Sequence, residues 1–444
     1  MSQNKEIKPL KVGLLGLGTV GGGTLTVLRR NREEISRRAG REIQVVMAAV
    51  RQLSKAQQKY GSDDLELTTD GFAVVNNPEI DIVIEAMGGI NPAKDFILQA
   101  IKKGKHIVTA NKALLALHGN EIFTAAQENN VMVAFEAAVG GGIPIIKALR
   151  EGLTANRIQW LAGIINGTSN FILTEMREKG LDFNTVLAQA QALGYAEADP
   201  TFDIEGVDAA HKLSILSAIA FGCPVQFDKA YVEGISKLTR EDIAYAEELG
   251  YRIKLLGISR KNPNGIELRV HPTLIPEKRI LANVNGVMNA VLVNGDAVGS
   301  TLYYGAGAGA EPTASSVVAD LVDVTRMHTS DPHQRVPHLA FQPDALSDLP
   351  ILDISEVKTA YYLRMRVADK TGVLADITRI LAKYEISIDA LIQKEPAEGQ
   401  DQTDLILLTH KTIEKNLNSA LKEIEGLSTS LAPVIRIRLE TLGK

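Results

Sequence analysis

Residues 10–23 read LKVGLLGLGTVGGG, and this stretch decides the fold of the first third of the chain. The largely apolar run at 10–15 predicts a short buried strand, and a helix-forming run follows the glycines. The spacing GxGxxG between a strand and a helix is the context of the dinucleotide-binding fingerprint, in which backbone amides approach a pyrophosphate at a helix N-terminus. The residues predicted to contact the dinucleotide are Gly16, Gly18, Thr19, Val20 and Gly21.

The rest of the first 135 residues alternates strand and helix patterns. Helices are predicted near 92–103 and 120–128. The predicted strands after the first are 43–50, 80–86, 106–109 and 131–135. This alternation predicts an α/β fold with a Rossmann-type, doubly wound parallel sheet over residues 1–135. Ligands bind such sheets beyond the carboxyl ends of the strands, which is where Thr109 and Lys112 stand.

Arg51 stands at the end of the second predicted strand. A dinucleotide-binding fold that takes NAD usually has a carboxylate at this point for the ribose 2′-hydroxyl, whereas an arginine suits a 2′-phosphate. The position therefore favours NADP(H) over NAD(H). The alternative is that Arg51 is a solvated loop residue.

Length and composition exclude several classes of function. With 444 residues, the chain exceeds a single core and predicts two or three domains. The net charge of −5 gives no basis for nucleic-acid binding, and no run reaches the ~18 apolar residues of a membrane span. The first residues show no signal-peptide pattern and Cys223 is the single cysteine, so we expect a cytoplasmic protein without a disulfide framework.

A second informative stretch is 192–220, ALGYAEADPTFDIEGVDAAHKLSILSAIA. From Gly206 onward it predicts a helix with almost no polar face, on which Asp208 and Lys212 share one side because they are four residues apart. An exposed salt bridge on a surface helix is the simplest interpretation. The apolar neighbours argue against it, since a lysine is rarely buried without a partner or a function.

Nine positions of this stretch closely resemble the signature of homoserine dehydrogenases: Gly194, Tyr195, Glu197, Asp199, Pro200, Asp203, Gly206, Asp208 and Lys212. The resemblance covers about residues 11–327. It implies a mixed α+β catalytic and dimerisation domain over 136–304, a segment at 305–327 that returns to the cofactor domain, and a homodimer or homotetramer. Nothing before Lys11 leaves room for a fused aspartate kinase, so we expect the monofunctional form.

The resemblance also implies a reaction, the NAD(P)H-dependent reduction of L-aspartate 4-semialdehyde to L-homoserine on the route to threonine, methionine and isoleucine. Lys212 is then the general acid, with Asp208 and burial setting its pKa in opposite directions. The other implied roles are Glu197 at the substrate ammonium, Asp203 near the reacting oxygen, Thr168 at the substrate, Lys112 at the substrate carboxylate or nicotinamide, and Gly309 near the nicotinamide. Thr109 is also expected to contact the cofactor.

A monovalent cation is implied by resemblance alone. The sequence after the last predicted strand, EAAVGGGIP at 136–144, shows only a tight glycine turn where the chain crosses to the next domain. In the resembled family this loop binds sodium through backbone carbonyls. The corresponding residues here are Glu136, Val139, Gly141 and Ile143.

Residues 328–357 carry four prolines and predict a linker to a separate C-terminal unit. The pattern over 358–444 predicts βαββαβ and resembles an ACT domain, including a D-x-x-G-V-L turn that begins at Asp369 and contains Gly372. The resemblance implies an amino-acid effector at this turn, with threonine expected, and control that is separable from the chemistry. A purely structural dimerisation module is the alternative.

Three other functions remain open. A phosphorylating semialdehyde dehydrogenase needs a cysteine nucleophile, but Cys223 follows an apolar helix and has no histidine next to it in sequence. A non-catalytic sensor of nucleotide and amino acid has no use for a buried proton donor at Lys212. Another Rossmann oxidoreductase is less suited to the acidic run 197–203, which favours an amino-acid substrate.

Overall fold

A computed structural model describes residues 8–395 and 401–443, and these divide into two compact units. The first consists of the chain through Leu161, Ala210–Lys229 and Met288–Leu349. The second consists of Ala162–Ala209, Ala230–Val287 and the chain from Pro350 onward.

The first unit contains a six-stranded parallel sheet in the order β3-β2-β1-β4-β5-β6. Its strands are β1 (Leu10–Leu15), β2 (Ile43–Ala49), β3 (Glu66–Thr68), β4 (Ile82–Glu85), β5 (His106–Thr109) and β6 (Val133–Ala134). Its helices up to that strand are α1 (Thr19–Arg30), α2 (Arg32–Ala39), α3 (Leu53–Tyr60), α4 (Gly71–Asn76), α5 (Ala93–Lys102) and α6 (Lys112–Glu128). The predicted Rossmann-type sheet is confirmed. Helix α6 begins eight residues before its predicted start, because the side chain of Asn111 caps it at the amide of Leu114.

A late segment of the chain returns to this sheet as predicted. The hairpin β11 (Met288–Gly295) and β12 (Gly299–Ala306) precedes helix α13 (Ala310–Met327), which packs against α1 and α2. A Cβ on Gly23 would lie 2.5 Å from the carbonyl oxygen of Ala310, so a glycine in α1 permits the close approach of the two helices. Val317 and Leu321 complete the apolar core that β1 and α1 begin.

The middle of the chain supplies the remaining short elements and the long helix that carries the expected acid. These are α7 (Ile145–Lys147), β7 (Ile158–Ile164), α8 (Gly167–Lys179), α9 (Phe183–Ala192), α10 (Thr201–Ile204), α11 (Val207–Phe221), β8 (Tyr231–Val232) and α12 (Arg240–Glu248). Gly206 joins α10 to α11 with φ +81°, a left-handed conformation that ends the short helix and lets the long one begin.

The second unit contains a mixed sheet in the order β9-β10-β17-β13-β15-β14. The strands are β9 (Tyr251–Asn262), β10 (Gly265–Pro276), β13 (Lys358–Ala368), β14 (Ile388–Gln393), β15 (Gln402–Thr409), β16 (Thr412–Ile413) and β17 (Ile435–Leu439). Helices α14 (Val373–Lys383) and α15 (Glu414–Glu425) pack on its C-terminal part around Leu381 and Leu417. The predicted βαββαβ order of the tail is present, and the short β16 pairs with β13.

Strand β17 joins the tail to the middle of the chain, because it pairs in parallel with β10 at Thr273–Arg438 and Leu274–Leu439. Arg438 is almost fully buried and donates to both carboxylate oxygens of Glu414 and, at 2.8 Å, to Glu233. Arg269 on β10 donates in turn to Glu440. These buried charges each have an opposite charge within hydrogen-bond distance, as buried ion pairs require.

The pairing of β17 with β10 affects the prediction that regulation by the tail is separable from the chemistry. Arg364 on β13 also donates to both oxygens of Asp242 on α12, at 2.6 and 3.0 Å. Removing the chain beyond Val357 would therefore take Arg364 from Asp242, Arg438 from Glu233 and Glu440 from Arg269, which would keep Glu267 as its carboxylate partner. These contacts argue against a tail that can be deleted without harm to the middle domain.

Candidate active site

The glycine loop connects β1 to α1 at the carboxyl end of the parallel sheet. Gly16 has φ +96°, and a Cβ there would lie 2.9 Å from the carbonyl oxygen of Ala86. A Cβ on Gly21 would lie 1.9 Å from the carbonyl oxygen of Gly16, so the first turn of α1 packs directly on the loop. A Cβ on Gly18 would meet no atom within 4 Å. Packing thus explains the first and third glycines, and close approach of a pyrophosphate explains the second.

Glu85, at the end of β4, is a buried carboxylate that sequence analysis missed. Its Oε2 accepts a hydrogen bond of 2.7 Å from Thr109, and its Oε1 accepts bonds of 2.9 and 3.2 Å from the amides of Met87 and Gly88. Burial raises the pKa of Glu85, while these donors oppose the rise. The carboxylate fixes two loops at the ligand-binding edge of the sheet. The only sequence signal for it is an acid that ends the apolar run IVIE.

The loop after β5 is fixed by its own side chains. The amide of Asn111 donates to the carbonyl of Gly89 at 2.7 Å, while its Oδ1 caps α6. Lys112 is therefore the first residue of α6, half-buried, at the strand end where it was predicted. Arg51 follows β2 as an exposed residue, in the position predicted for a 2′-phosphate contact.

The loop at 136–144 is tightly held inside the first unit. The Glu136 carboxylate accepts hydrogen bonds from the amides of Ile146 and Lys147 at 2.8 and 2.7 Å. Burial and the nearby Asp320 carboxylate raise the pKa of Glu136 to about 7. The carbonyl oxygen of Gly141 accepts a bond of 2.6 Å from Ser316. The loop is shaped by these contacts, and a carbonyl oxygen with one donor keeps a second lone pair for a cation.

Hard cations prefer oxygen ligands, and backbone carbonyls of this loop belong to that donor class. Within the described ranges, no group of three or more His, Cys, Asp or Glu side chains is arranged to hold a metal ion. The resemblance to homoserine dehydrogenases, and not this geometry, singles out the carbonyls of Glu136, Val139, Gly141 and Ile143 among those of the loop.

Asn166 joins two of the predicted carboxylates in the second unit. Its Nδ2 donates to Asp203 at 2.7 Å and to Asp208 at 2.9 Å, and its Oδ1 caps α8 at the amide of Ser169. The hydroxyl of Ser169 bonds the backbone carbonyl of Asp203 at 3.0 Å. Of this turn, only Thr168 was predicted to take part in the site, and nothing in the sequence indicated that the Asn166 amide holds both acids together.

Helix α11 carries the predicted acid in a buried position. Asp208 is 3% exposed and Lys212 is 8% exposed. The interpretation of this pair as a salt bridge on a surface helix is therefore wrong. A lysine and an aspartate one turn apart on a buried helix are the arrangement expected for a tuned proton donor.

The segment with Glu197 is anchored through its backbone. The hydroxyl of Thr168 donates to the carbonyl of Tyr195 at 2.6 Å, and the Gln191 amide donates to the carbonyls of Glu197 and Ala198 at 3.0 and 3.3 Å. The Glu197 side chain itself is exposed. Thr168 thus positions the segment that presents the carboxylate.

The remaining predicted contacts lie at two helix starts. Gly309 has φ +118° and precedes the first residue of α13. Gly372 has φ +94° and precedes the first residue of α14, with Asp369 just upstream. A Cβ on Gly372 would meet no described atom within 4 Å, so the positive φ, and not packing among the described residues, accounts for a glycine here.

Comparison with known protein families resolves the choice among oxidoreductases. The model of the homoserine dehydrogenase NAD-binding domain matches residues 16–136, that of homoserine dehydrogenase itself matches 144–322, and the ACT domain matches 361–429. A curated homoserine dehydrogenase of Pseudomonas aeruginosa is 64% identical over 98% of this chain and 100% of its own length. The chain belongs to the homoserine dehydrogenase family.

Solved homoserine dehydrogenases extend this finding to the structure. The enzyme of Thiobacillus denitrificans has a TM-score of 0.94 and 72% identity, over 98% of this chain and 99% of that one. A hyperthermophilic archaeal homoserine dehydrogenase in complex with NADPH has a TM-score of 0.62 and 25% identity, over 72% of this chain and 98% of that one.

The resemblance inferred from residues 194–212 is confirmed, and so is the ACT resemblance of the tail. The protein is an oxidoreductase of the homoserine dehydrogenase family, with an NAD(P)-binding domain, a catalytic domain and an ACT regulatory domain. In the described part of the chain, no helix combines the length and apolarity needed to cross a bilayer.

Proposed function

We propose that this homoserine dehydrogenase reduces L-aspartate 4-semialdehyde to L-homoserine with NADPH, in threonine, methionine and isoleucine biosynthesis in the cytoplasm. One observation carries the proposal. The side-chain amide of Asn166 donates hydrogen bonds to Asp203 and Asp208, and Asp208 lies four residues before buried Lys212 on the same helix. Two carboxylates followed in the chain by a lysine ammonium suit proton transfer to a substrate oxygen that gains negative charge.

A bound nicotinamide supplies the hydride for this reaction. Lys212 then gives its proton to the carbonyl oxygen of the aldehyde as the alkoxide develops. Asp208 lies one turn before Lys212 on the same helix, where a carboxylate favours the charged form of a lysine and burial opposes it. Asp203 lies near the same oxygen and orients the hydroxyl that forms.

The substrate is held by groups at its other end. Glu197 binds the ammonium group through its exposed carboxylate, on a segment that Thr168 anchors. Lys112, at the start of α6, binds the substrate carboxylate or stands beside the nicotinamide. Gly309 allows the backbone to approach the nicotinamide ring. These contacts hold the aldehyde carbon at the correct distance for transfer.

Preference for NADP(H) rests on Arg51, which makes no hydrogen bond or ion pair with another residue in the part of the chain described and is exposed where the 2′-phosphate would lie. The archaeal relative with NADPH supports this choice of cofactor. Arg51→Glu should shift the ratio of kcat/KM toward NADH by about tenfold or more, because a like charge then meets the phosphate. Lys55→Glu is the matched control four residues away. A wild-type enzyme that prefers NADH, or an unchanged ratio, would refute this assignment.

The loop carbonyls of Glu136, Val139, Gly141 and Ile143 would bind sodium. Its role is structural, since it would join the loop that leads from the cofactor domain into the catalytic domain. We assign residues 1–135 with 305–327 to cofactor binding, 136–304 to catalysis and dimerisation, 328–357 to the linker and 358–444 to regulation.

Regulation would act through an amino acid, threonine, at the turn that contains Asp369 and Gly372, in a homodimer or homotetramer. Gly372 supports this site because a side chain there meets nothing within its own chain. Threonine titration of the Asp369→Ala variant, with mass from light scattering, separates loss of inhibition from loss of assembly.

The reaction itself is tested by NADPH oxidation with L-aspartate 4-semialdehyde and with succinate semialdehyde, which lacks the amino group. We expect activity with the first and a far lower kcat/KM with the second, because Glu197 is then left without its ammonium partner. Equal kcat/KM values would remove the amino group from recognition, and no NADPH oxidation with either would refute the proposed reaction.

A further inference from the structure

A groove of about 370 Å³ lies in the second unit, between the tail and the segment Tyr231–Leu238, which begins with β8. We call it the junction groove. Strand β17 and helix α15 form one side, and the other side is formed by Glu233, Gly234, Lys237 and Leu238 of the segment. Along the groove β17 is paired on one edge with β13, whereas its pairing with β10 begins only at Arg438. The other edge of Ile435–Ile437 therefore faces the groove.

The lining of the junction groove combines charges of both signs with apolar surface. Lys237, Lys422 and Arg436 supply positive charge, and Glu233 and Glu425 supply negative charge. Among the described residues, neither Lys237 nor Lys422 makes a salt bridge, and both are exposed. The apolar lining consists of Leu238, Pro272, Leu421, Val434, Ile435 and Ile437. A small zwitterion with an apolar side chain matches each of these three properties.

The wall of the groove also contacts the helix that carries Asp203. The amide of Ile235 donates to the carbonyl of Ile204 at 2.8 Å, one residue from Asp203. Gly234 leaves no room for adjustment, since a Cβ there would lie 2.5 Å from that same carbonyl oxygen. Glu233 receives the hydrogen bond from buried Arg438 at 2.8 Å. The segment thus touches the tail at one end and α10 at the other.

We infer that the junction groove binds a free α-amino acid with an apolar side chain, and that occupancy alters the catalytic site through Tyr231–Leu238. The ligand carboxylate pairs with Lys237, Lys422 or Arg436, its ammonium with Glu233 or Glu425, and its side chain packs on Leu238 and Leu421. This site is distinct from the turn at Asp369, and it does not depend on the reaction proposed above.

Isothermal titration calorimetry of the full chain with L-leucine, L-isoleucine and L-methionine tests the site. Two analogues of leucine separate the contacts: 4-methylpentanoate lacks the ammonium, and 3-methylbutylamine lacks the carboxylate. We expect saturable binding of at least one amino acid and weaker binding of both analogues. An analogue that binds as well as leucine would remove one half of the zwitterion assignment, and no binding of the three amino acids would overturn the proposal.

The double variant Lys237→Ala/Lys422→Ala should weaken amino-acid binding by about tenfold, the effect of one charge-assisted contact, without changing the activity in the absence of ligand. Lys415→Ala is the matched control, because Lys415 lies on the same helix but pairs with Glu356 outside the groove. Unchanged affinity in the double variant, or a loss in Asp369→Ala instead, would place the ligand elsewhere.

Coupling to the catalytic site is read from the KM for homoserine in the oxidation direction. Allosteric coupling of the usual size predicts a change of about fivefold or more at saturating amino acid, which the double variant should reach only at about tenfold higher amino-acid concentration. Binding without any change in KM or kcat would overturn the coupling. Failure of homoserine oxidation itself would refute the proposed function but leave the calorimetric result standing.

Discussion

Two clusters of buried charge in the second unit follow opposite rules. At the junction of β10 and β17, the guanidinium groups of Arg438 and Arg269 donate directly to carboxylates. At the start of α8, the donor that joins Asp203 to Asp208 is the neutral amide of Asn166. The first arrangement pairs carboxylates with guanidinium groups, whereas the second orients two acids through a neutral side-chain amide.

We use this difference to distinguish buried charges that stabilise the fold, such as Arg438, from the carboxylates that we propose for the active site. When every buried charge already has an opposite charge and its hydrogen bonds within the protein, no donor or acceptor remains to bind a ligand. An amide orients carboxylates but leaves their charge to act on a nearby lysine or a substrate. The predictions below test this distinction, beginning with the largest expected effect.

Arg438→Ala should lower the free energy of unfolding by about 3–5 kcal/mol, because buried Glu414 would lose both of its bonds from Arg438 and keep Arg436, at 3.5 Å, as its cation. Chemical denaturation of the full chain measures it. Arg379→Ala is the control, since its pair with Asp376 is exposed and should contribute little. A similar small loss for both variants would show that the junction charges do not stabilise the fold.

Lys212→Ala should lower kcat by ~10²-fold or more while NADPH binding is preserved, because a positioned acid contributes about that factor. Initial rates and a fluorescence titration of NADPH measure the two quantities. Lys229→Ala, an exposed lysine after the same helix, should leave both unchanged. Near-normal kcat in Lys212→Ala would remove this residue from the mechanism.

Lys254 is a third case, a buried cation whose described partners are neutral. Its Nζ donates to the carbonyl of Val284 at 2.6 Å and to the amide oxygens of Asn170 and Asn285 at 3.2 Å each. Burial lowers the pKa of Lys254 to about 7. Between about pH 7 and 10 the unfolded chain therefore binds the extra proton, so raising the pH through this window stabilises the folded state.

We expect the contribution of Lys254 to the free energy of unfolding to rise by on the order of 2 kcal/mol over this window. The measurement is the difference between wild type and Lys254→Met in denaturation series from pH 6 to 10, which cancels the other titrating groups. A pH-independent difference would mean that Lys254 stays charged in the folded protein.

Asn166→Ser tests the amide with its capping function kept, because a serine hydroxyl can still accept the bond from the Ser169 amide. Loss of both donors to Asp203 and Asp208 should lower kcat by about tenfold with little change in Tm. An unchanged kcat with a lowered Tm would give Asn166 a structural role only.

Local chemistry accounts for what the sequence could predict. The loop at Gly16–Gly21 and the buried helix with Asp208 and Lys212 are specified within about twenty residues, so the sequence pattern suffices for both. The start of α6 was placed too late because Gly119-Asn120 resembles a helix boundary, whereas the cap is Asn111. A glycine inside a helix costs only about 1 kcal/mol, and the rest of α6 tolerates it.

Long-range pairing explains what the sequence could not predict. Asn166 contacts Asp203 and Asp208, which are 37 and 42 residues away in the chain. An asparagine that donates to two distant carboxylates has no recognisable sequence motif. The pairing of β10 with β17 likewise depends on two strands far apart in the chain. The prolines of the linker correctly predicted that the tail is a domain. They did not indicate that its last strand, β17, joins the sheet that contains β10.

That strand also has a consequence for protein synthesis. Thr273 pairs with Arg438, 165 residues later, so the edge of β10 stays open while the intervening chain is made. Closing so long a loop is slow, and an open strand edge invites pairing with other unfinished chains. Arg269 and Glu233 lie beside this edge before Glu440 and Arg438 are made. Their charges therefore disfavour pairing of the edge with another unfinished chain until these two residues complete the junction.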